Sequence, residues 1–157
     1  MLSHLRGRWV NPSHYHVTVQ FLGLHRGLPP ETIARMKSAA GAARWAPFDI
    51  TFDRADSFCG SRRFPCVLRC DQTSETPLQA LWRELGAALR AQELGQLLRE
   101  PPFIPHLTIA YADAALREPM PIQPIRWRVQ ELVLVASHVG QSLYEPLATW
   151  LHDCPDL

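Results

Sequence analysis

The sequence has no long apolar run, no large excess of charge of either sign, and only one lysine. No stretch approaches the roughly 20 apolar residues that a membrane span needs. The N-terminal MLSHLRGRWV also lacks the apolar run and cleavage-like site of a signal peptide. The formal net charge is +1, which excludes the global basic field of a tight non-specific nucleic-acid binder. We therefore expect a cytoplasmic protein with no membrane partner.

Cysteine is also scarce, and its spacing argues against a zinc site. The four residues are Cys59, Cys66, Cys70 and Cys154, which match no zinc-ligand pattern. Cys66 and Cys70 would share one face of a strand as small buried apolar groups. We predict that the thiols are free and unpaired.

The remaining composition is that of one ordinary globular domain. The chain has 157 residues, of which 46% are apolar and 20% are charged, enough for a substantial core. Fifteen of the sixteen basic residues are arginine. The planar guanidinium suits phosphate recognition, although the same bias can be a compositional habit of the source.

Apolar periodicity predicts a mixture of strands and helices. Helices are expected from Pro30 to Gly41 and from Thr76, which would cap a helix with Pro77 at its first position. Apolar residues recur at helical spacing in both segments, at Ile33, Met36 and Ala40 and at Leu78, Leu81, Trp82, Leu85 and Leu89. The strand-to-strand turns imply antiparallel pairing, so the pattern indicates an α+β fold. The segment 1–13 and the proline-containing segment 119–124 are expected to be irregular. Strands are expected at 14–22, 48–53, 64–70, 103–111, 129–136 and 144–151.

The pattern His-apolar-Thr-apolar occurs twice in apolar strand segments. The copies are HVTV at 16–19 and HLTI at 106–109, and they begin 90 residues apart. Successive side chains of a strand point to opposite faces. The His and Thr of each copy should therefore share one face, while Tyr111 should lie on the opposite, apolar face of the second strand. The spacing suggests two related lobes that each contribute one motif strand to a cleft.

Two such pairs in one cleft suit displacement at phosphorus. Histidine has an unperturbed pKa of about 6.5 and can donate or accept a proton near neutral pH. In-line displacement needs a base on the entering oxygen and an acid on the leaving oxygen. Each threonine hydroxyl can donate a hydrogen bond to a non-bridging phosphate oxygen. The scheme requires no metal or other cofactor.

The doubled motif, with FLG after the first copy and PFIPH before the second, resembles the two-histidine (2H) phosphoesterase superfamily. Within it, the chain is most similar to the RNA 2′,3′-cyclic phosphodiesterases, also called 2′-5′ RNA ligases, over about residues 10–150. The resemblance implies a bilobed α+β fold of two antiparallel-rich sheets with flanking helices. A central groove would carry the two motif strands. The chain would form a single domain over 1–157 and act as a monomer.

The resemblance also implies a role for each motif residue. His16 would be the general acid that protonates the leaving oxygen, and His106 the base that activates water. Thr18 and Thr108 would hold the phosphate. The reaction would open a 2′,3′-cyclic phosphate on an RNA end or a nucleotide and leave a 2′-phosphate, without a cofactor. Formation of a 2′-5′ linkage between suitable RNA ends would be a reverse-type activity.

The chain departs from the family pattern in two places. Only 15 residues precede His16, where the family usually has a strand and a helix. Either the start is incomplete or the first lobe lacks a strand and leaves an edge exposed. Relatives often carry an arginine shortly after the second motif, where this chain has Tyr111. Arg62 and Arg63, on a predicted hairpin loop, are candidates to replace it. Tyr111 itself is a further candidate contact to RNA or phosphate, and Phe58 could stack on a base. A solvated loop tip and a buried aromatic are the simpler interpretations.

Two other functions stay open on the sequence. His14 and His16 have a spacing seen at metal sites, which would suit a metal-dependent hydrolase, although no further clustered ligands are evident. A non-catalytic module that binds RNA or nucleotides could use the same cleft. Binding alone, however, does not need two proton-transfer groups.

Overall fold

The computed structural model of the chain describes residues 6–59, 62–138 and 143–152. Helices and strands alternate irregularly along the chain, which confirms the predicted α+β class. Among the described residues, no helix combines the length and the apolar character needed to cross a membrane. The elements are β1 (Gly7–Trp9), α1 (Pro30–Ala42), β2 (Phe48–Ser57), β3 (Phe64–Cys70), α2 (Gln72–Ala91), β4 (His106–Ala112), β5 (Met120–Val129), β6 (Glu131–His138) and β7 (Leu143–Leu151), with 3₁₀ turns at Pro12–His14 and Gly95–Leu97.

The chain divides into two compact units. The first contains Met1–Thr18, Asp49–Thr76 and Ile104–Trp127, and the second contains Val19–Phe48, Pro77–Phe103 and Arg128–Leu157. Both motif histidines and both motif threonines fall in the first unit. The expectation that each lobe contributes one motif strand is therefore wrong. The groove between lobes stays a prediction.

A five-stranded sheet in the order β1-β4-β3-β2-β5 forms the centre of the first unit. The β1–β4, β4–β3 and β3–β2 pairs are antiparallel. One face is apolar because alternate residues of β3 are buried, among them Cys66 and Cys70, together with Ile50 and Phe52 of β2. Both thiols are free, as is the exposed Cys59, which confirms the prediction for them. Cys154 lies outside the described residues.

The second unit has a helical core and a two-stranded antiparallel sheet of β6 and β7. Met36 and Ala39 of α1 pack with Leu89 of α2 and with Leu94. Leu134 of β6 packs against this cluster. The helical apolar spacing read from the sequence therefore marks the faces that the helices bury.

The first motif is not the strand predicted at 14–22. Within it, only Val17 makes an isolated bridge, to Leu107 of β4. β1 pairs along the same edge of β4, in a register that would bring Pro12 opposite Leu107. Proline has no N–H for a strand ladder. The chain instead leaves the edge through the turn Pro12–His14 and returns to it at Val17.

β1 lies in a segment that the sequence predicted to be irregular. Gly7 has a φ of +153°, and a Cβ at this position would contact the Tyr111 carbonyl oxygen and the Ala112 Cα. Glycine alone tolerates that backbone conformation and that close approach. A short strand therefore precedes the first motif and covers part of the β4 edge.

Other boundaries differ from prediction as well: β4 begins at His106 and not at 103, and β6 begins at Glu131 and not at 129. The segment 119–124 is not all loop, because β5 begins at Met120. This strand lies at the end of the sheet order, and an edge strand tolerates proline. α2 begins at Gln72, so Pro77 lies inside the helix and Thr76 is not the cap. Asp71 takes that role, because its Oδ1 accepts a hydrogen bond from the Ser74 N–H at 2.7 Å.

Replacing Asp71 by alanine should lower the free energy of unfolding by about 1 kcal/mol, because the start of α2 loses its cap. Hydrogen bonds from Ser74 lower the pKa of Asp71. The cap should therefore contribute fully above the ordinary carboxyl pKa, and its contribution should disappear as the pH falls through the lowered value. Urea denaturation of wild type, Asp71→Ala and Asp71→Asn at several pH values would measure this. An alanine variant as stable as wild type at pH 7 would show that Asp71 is not the cap.

Candidate active site

The second motif lies on β4, with its polar side chains on one side of the sheet. Leu107 and Ile109 are buried, whereas His106 and Thr108 are half-buried. Arg69 of β3 lies directly opposite His106, and opposed residues of an antiparallel pair point to the same side. We call this side, which carries His106, Thr108 and Arg69, the motif face.

A β-bulge brings Tyr111 to the motif face. Consecutive residues of β3 pair with Thr108 and with Ala110, so Ile109 is the extra residue. The alternation shifts by one beyond the bulge. Ala110 and Ala112 are therefore buried and Tyr111 is half-exposed. The prediction that Tyr111 lies on the apolar face is wrong, because strand periodicity alone does not reveal a bulge.

Arg8 adds a second cation to the motif face. It lies opposite Tyr111 on β1, and its guanidinium carbon is 5.7 Å from the centre of the Tyr111 ring. Arg8 could not be recognised from the sequence, because β1 carries no strand signal. Arg69 could have been recognised, because it is the charged residue in a strand whose alternate residues, Cys66, Leu68 and Cys70, are apolar.

The isolated bridge orients the first motif toward the motif face. Val17 is opposite Leu107, whose side chain points to the buried side. In an extended chain the flanking residues point the other way, so His16 and Thr18 point to the side that carries His106. Their predicted common orientation with the second motif is supported, although the first motif forms no strand. Among the described residues, neither the Thr18 nor the Thr108 hydroxyl makes a hydrogen bond.

The two motif imidazoles make the same backbone contact. Nδ1 of His16 lies 2.7 Å from the carbonyl oxygen of His14, and Nδ1 of His106 lies 2.7 Å from the carbonyl oxygen of Ile104. A carbonyl oxygen only accepts hydrogen bonds, so Nδ1 donates in both cases. Nε2 is then the nitrogen that takes up or releases a reacting proton. The same tautomer is set at each motif by a carbonyl two residues earlier in the chain.

The surroundings of His106 favour its neutral form. The Phe58 ring meets the imidazole edge-on, with ring centres 4.7 Å apart. Burial is the main cause that lowers the pKa of His106, and the charges of Arg69 and His16 lower it further, while the hydrogen bond to the Ile104 carbonyl opposes them. A neutral imidazole with a protonated Nδ1 can accept a proton at Nε2.

Replacing Phe58 by alanine should raise the pKa of His106 toward its ordinary value of about 6.5, because the ring no longer shields the imidazole from water. The pH dependence of the His106 ring-proton shifts in an NMR titration would measure this pKa directly. A thermal melt would check that the variant is folded. An unchanged or lower His106 pKa in the folded variant would contradict the assigned cause.

Arg69 is a restrained cation beside His106. Its guanidinium nitrogens lie 3.7 Å from carboxylate oxygens of Asp56 and of Glu75, and its guanidinium carbon lies 5.9 Å from the centre of the Phe58 ring. Its side chain is only 18% exposed. Among the described residues, its buried Nε has no hydrogen-bond partner. The acids hold the arginine in place while it keeps positive charge close to the motif face.

The other candidates from the sequence are the loop arginines Arg62 and Arg63 and the aromatic residue Phe58. Arg62 and Arg63 are exposed, and Nη1 of Arg63 lies 3.6 Å from a carboxylate oxygen of Asp113. Nothing in the described part of the chain joins these arginines to the motif histidines, so their role at phosphate stays a prediction. Phe58 packs against His106, and base stacking by it likewise stays a prediction.

The His14-x-His16 pair acquires no metal-ligand set. Across 6–59, 62–138 and 143–152, no group of three or more His, Cys, Asp or Glu side chains is placed to hold a metal ion. His14 ends the 3₁₀ turn Pro12–His14, and its carbonyl oxygen accepts the hydrogen bond from His16. The His14 carbonyl oxygen therefore helps to orient the His16 ring.

Sequence comparisons identify relatives of one kind. The family model of the 2′-5′ RNA ligase superfamily matches residues 3–141. The chain is 32% identical over 160 residues to the RNA 2′,3′-cyclic phosphodiesterase of Geobacillus stearothermophilus. The matched region covers 94% of this chain and 49% of that protein. It is 30% identical over 105 residues to the protein of the same name from Bacillus subtilis (strain 168), and this match covers 66% of this chain and 54% of that protein. The chain thus spans about half the length of these curated relatives.

Solved structures share the fold. A phosphoesterase crystal structure superposes with a TM-score of 0.73 at 28% sequence identity, over 92% of this chain and 81% of the other. Escherichia coli LigT, crystallised with 3′-AMP, superposes with a TM-score of 0.70 at 26% identity, over 92% of this chain and 80% of LigT. The α+β architecture described above is therefore that of known phosphoesterases.

Proposed function

Because this chain belongs to the 2′-5′ RNA ligase superfamily, we propose that it hydrolyses 2′,3′-cyclic phosphates at RNA ends or on nucleotides to 2′-phosphomonoesters. One observation carries the proposal: two imidazoles point to the same side of the sheet and are held in the same tautomer by carbonyl oxygens at 2.7 Å. The relatives named RNA 2′,3′-cyclic phosphodiesterase support the choice of substrate. A binding module would not need this matched protonation.

The reaction divides the proton transfers between the two histidines. Nε2 of neutral His106 takes a proton from water as the water oxygen forms a bond to phosphorus. The bond from phosphorus to the 3′ oxygen breaks, and Nε2–H of protonated His16 gives its proton to that oxygen. The products are a 3′ hydroxyl and a 2′-phosphomonoester. The lowered pKa of His106 supports its assignment as the base.

The motif face also supplies groups for the phosphate. The hydroxyls of Thr18 and Thr108 donate hydrogen bonds to its non-bridging oxygens, and charge on those oxygens grows in the transition state. Arg8 and Arg69 provide positive charge on the same side. Arg8, held against Tyr111, takes the place of the arginine that relatives often carry after the second motif.

The same groups would serve 2′-5′ ligation if an RNA 5′ hydroxyl replaces water. His106 would remove the proton of that hydroxyl, its oxygen would attack phosphorus, and His16 would protonate the departing 3′ oxygen. The product is a 2′-5′ linkage, and the reaction as written uses no cofactor. We propose that the enzyme works in this way as a monomeric, cytoplasmic, single bilobed domain.

Hydrolysis of an oligonucleotide with a 2′,3′-cyclic phosphate end, in the presence of EDTA, tests the proposal. We expect turnover with a 2′-phosphate product, whose phosphate position is assigned by phosphorus NMR. Loss of activity with the chelator and recovery with added divalent metal would favour a metal-dependent hydrolase instead. Binding of the oligonucleotide without turnover would favour a non-catalytic module, and a 3′-phosphate product would contradict the assigned leaving oxygen.

A further inference from the structure

Three arginines outside the motif face converge on one cavity in the second unit. The cavity has a volume of about 270 Å³, and Arg83, Arg90 and Arg99 line it together with Gln20, Trp82 and Gly86. None of its lining residues is acidic. Within 6–59, 62–138 and 143–152, none of the three guanidiniums forms an ion pair with a carboxylate. The cavity therefore concentrates positive charge that the protein itself does not neutralise.

The helix α2 builds one wall of this cavity. Arg83, Gly86 and Arg90 have the three- and four-residue spacing that places side chains on one helix face. An ordinary solvated helix face would account for the two arginines. It would not account for the glycine between them, because glycine is a poor helix former.

Gly86 keeps the floor of the cavity open. It is buried in the middle of α2, and a Cβ there would lie 3.3 Å from Nη1 of Arg90 and 3.4 Å from Nε2 of Gln20. A side chain at this position would therefore point among the polar groups that line the cavity. The absence of a side chain preserves space next to two hydrogen-bond donors.

Two of the lining groups are held in place by other contacts. Nε2 of Gln20 donates a hydrogen bond to the Trp82 carbonyl oxygen at 2.8 Å. The guanidinium carbon of Arg99 lies 4.3 Å from the centre of the Phe21 ring, a cation–π distance. These contacts reduce the conformational freedom that Gln20 and Arg99 would lose when they bind a ligand.

We propose that this cavity binds phosphodiester groups of single-stranded RNA. Unpaired guanidiniums around an open space fit phosphate oxygens, and a strand offers one phosphate per nucleotide. The inference rests on the proposed function for its choice of RNA. A free nucleotide phosphate has the same chemistry, so the test must separate a strand from a mononucleotide.

The first test compares two substrates, an oligonucleotide with a 2′,3′-cyclic phosphate end and a 2′,3′-cyclic mononucleotide. The triple variant Arg83→Ala/Arg90→Ala/Arg99→Ala should raise KM for the oligonucleotide at least tenfold more than for the mononucleotide. The triple variant Arg26→Ala/Arg117→Ala/Arg126→Ala, which removes three exposed arginines that do not line the cavity, is the matched control for the loss of charge. Equal effects on both substrates, or no effect on either, would overturn the proposal.

The second test does not depend on turnover and so separates this proposal from the proposed hydrolysis. Fluorescence anisotropy would measure binding of a 5′-labelled single-stranded RNA with a linear 2′-phosphate end. The slope of log affinity against log salt should become shallower by about 2 in the triple variant, since three phosphate contacts are lost. The corresponding triple lysine variant should recover most of the slope. Wild-type protein that binds no RNA, or a triple variant with the wild-type slope, would overturn the inference.

A third variant asks whether the cavity itself is needed. Gly86→Leu keeps all three arginines but fills the floor between Arg90 and Gln20. RNA affinity should fall several-fold in a protein whose thermal melt shows that it is folded. Wild-type RNA affinity in folded Gly86→Leu would show that diffuse surface charge, and not this cavity, binds the strand.

Discussion

Replacing His106 by alanine is expected to lower kcat for a 2′,3′-cyclic phosphate by about 10²–10⁴-fold. The reason is that water loses the base that accepts its proton, while the phosphate keeps its hydrogen-bond donors and KM changes little. The rate of the variant should rise with pH, because hydroxide can replace the base. Replacing His16 should lower kcat to a similar extent without that rise, because hydroxide cannot protonate the leaving oxygen. Steady-state kinetics between pH 5 and about 9 would measure both effects.

A matched histidine serves as the control for these variants. His25 also places a ring nitrogen 2.7 Å from a backbone carbonyl oxygen, that of Leu22, but it belongs to neither motif. His25→Ala should keep wild-type kcat. The fold-decrease in kcat of the double variant of His16 and His106 should be far smaller than the product of the two single fold-decreases, because the histidines act in one step. Full hydrolysis by His106→Ala would show that the assigned base is wrong.

Replacing Thr108 by valine should lower kcat by about 10²-fold, because one hydrogen bond to the developing charge on phosphate is lost from an otherwise isosteric side chain. Thr18→Val should behave alike. Serine at either position keeps the hydroxyl and should restore most of the activity. Thr149→Val, a matched change at an exposed position on β7, should have no effect on kcat. Valine variants that raise only KM would show that the hydroxyls bind substrate and transition state equally.

The sequence was most informative where a local pattern has a single structural solution. A hairpin loop with Gly60 at its tip predicted a returning strand over 64–70, and β3 has those bounds. The helical spacing predicted an apolar stripe of α2 in which the four leucines are buried and Trp82 is half-buried. The repeated His-x-Thr pattern drew attention to two imidazoles that each make a local hydrogen bond to a carbonyl oxygen two residues earlier, and their roles stay a prediction.

The sequence was least informative where a distant partner decides the structure. The bulge at Ile109 and the resulting position of Tyr111 depend on pairing with β3. β1 forms because Gly7 allows close approach to β4, a contact that no periodicity in MLSHLRGRWV reveals. Arg8 was missed for that reason. The start of α2 was misplaced because Thr76-Pro77 and Asp71 are both good local start signals, and the hydrogen bonds of Ser74 favour Asp71.

The partition of the chain was misjudged for a similar physical reason. Two copies of a motif 90 residues apart suggested one copy in each lobe. The pairing of Val17 with Leu107 instead places the His and Thr of both copies in one compact unit, and only Val19 of the first copy belongs to the other. A separation of 90 residues does not prevent two segments from becoming neighbours in an antiparallel sheet.

In the proposed mechanism, His16 and His106 present Nε2, with Nδ1 protonated, to a phosphate on the motif face. Long-range proton–nitrogen NMR correlations of the two imidazoles, with and without a 2′-nucleotide, would show which nitrogen of each ring carries the proton. We predict that both neutral rings are protonated at Nδ1 and that both Nε2 signals shift when the nucleotide binds. Protonation of either neutral ring at Nε2, or Nε2 signals that do not respond to the nucleotide, would contradict the account.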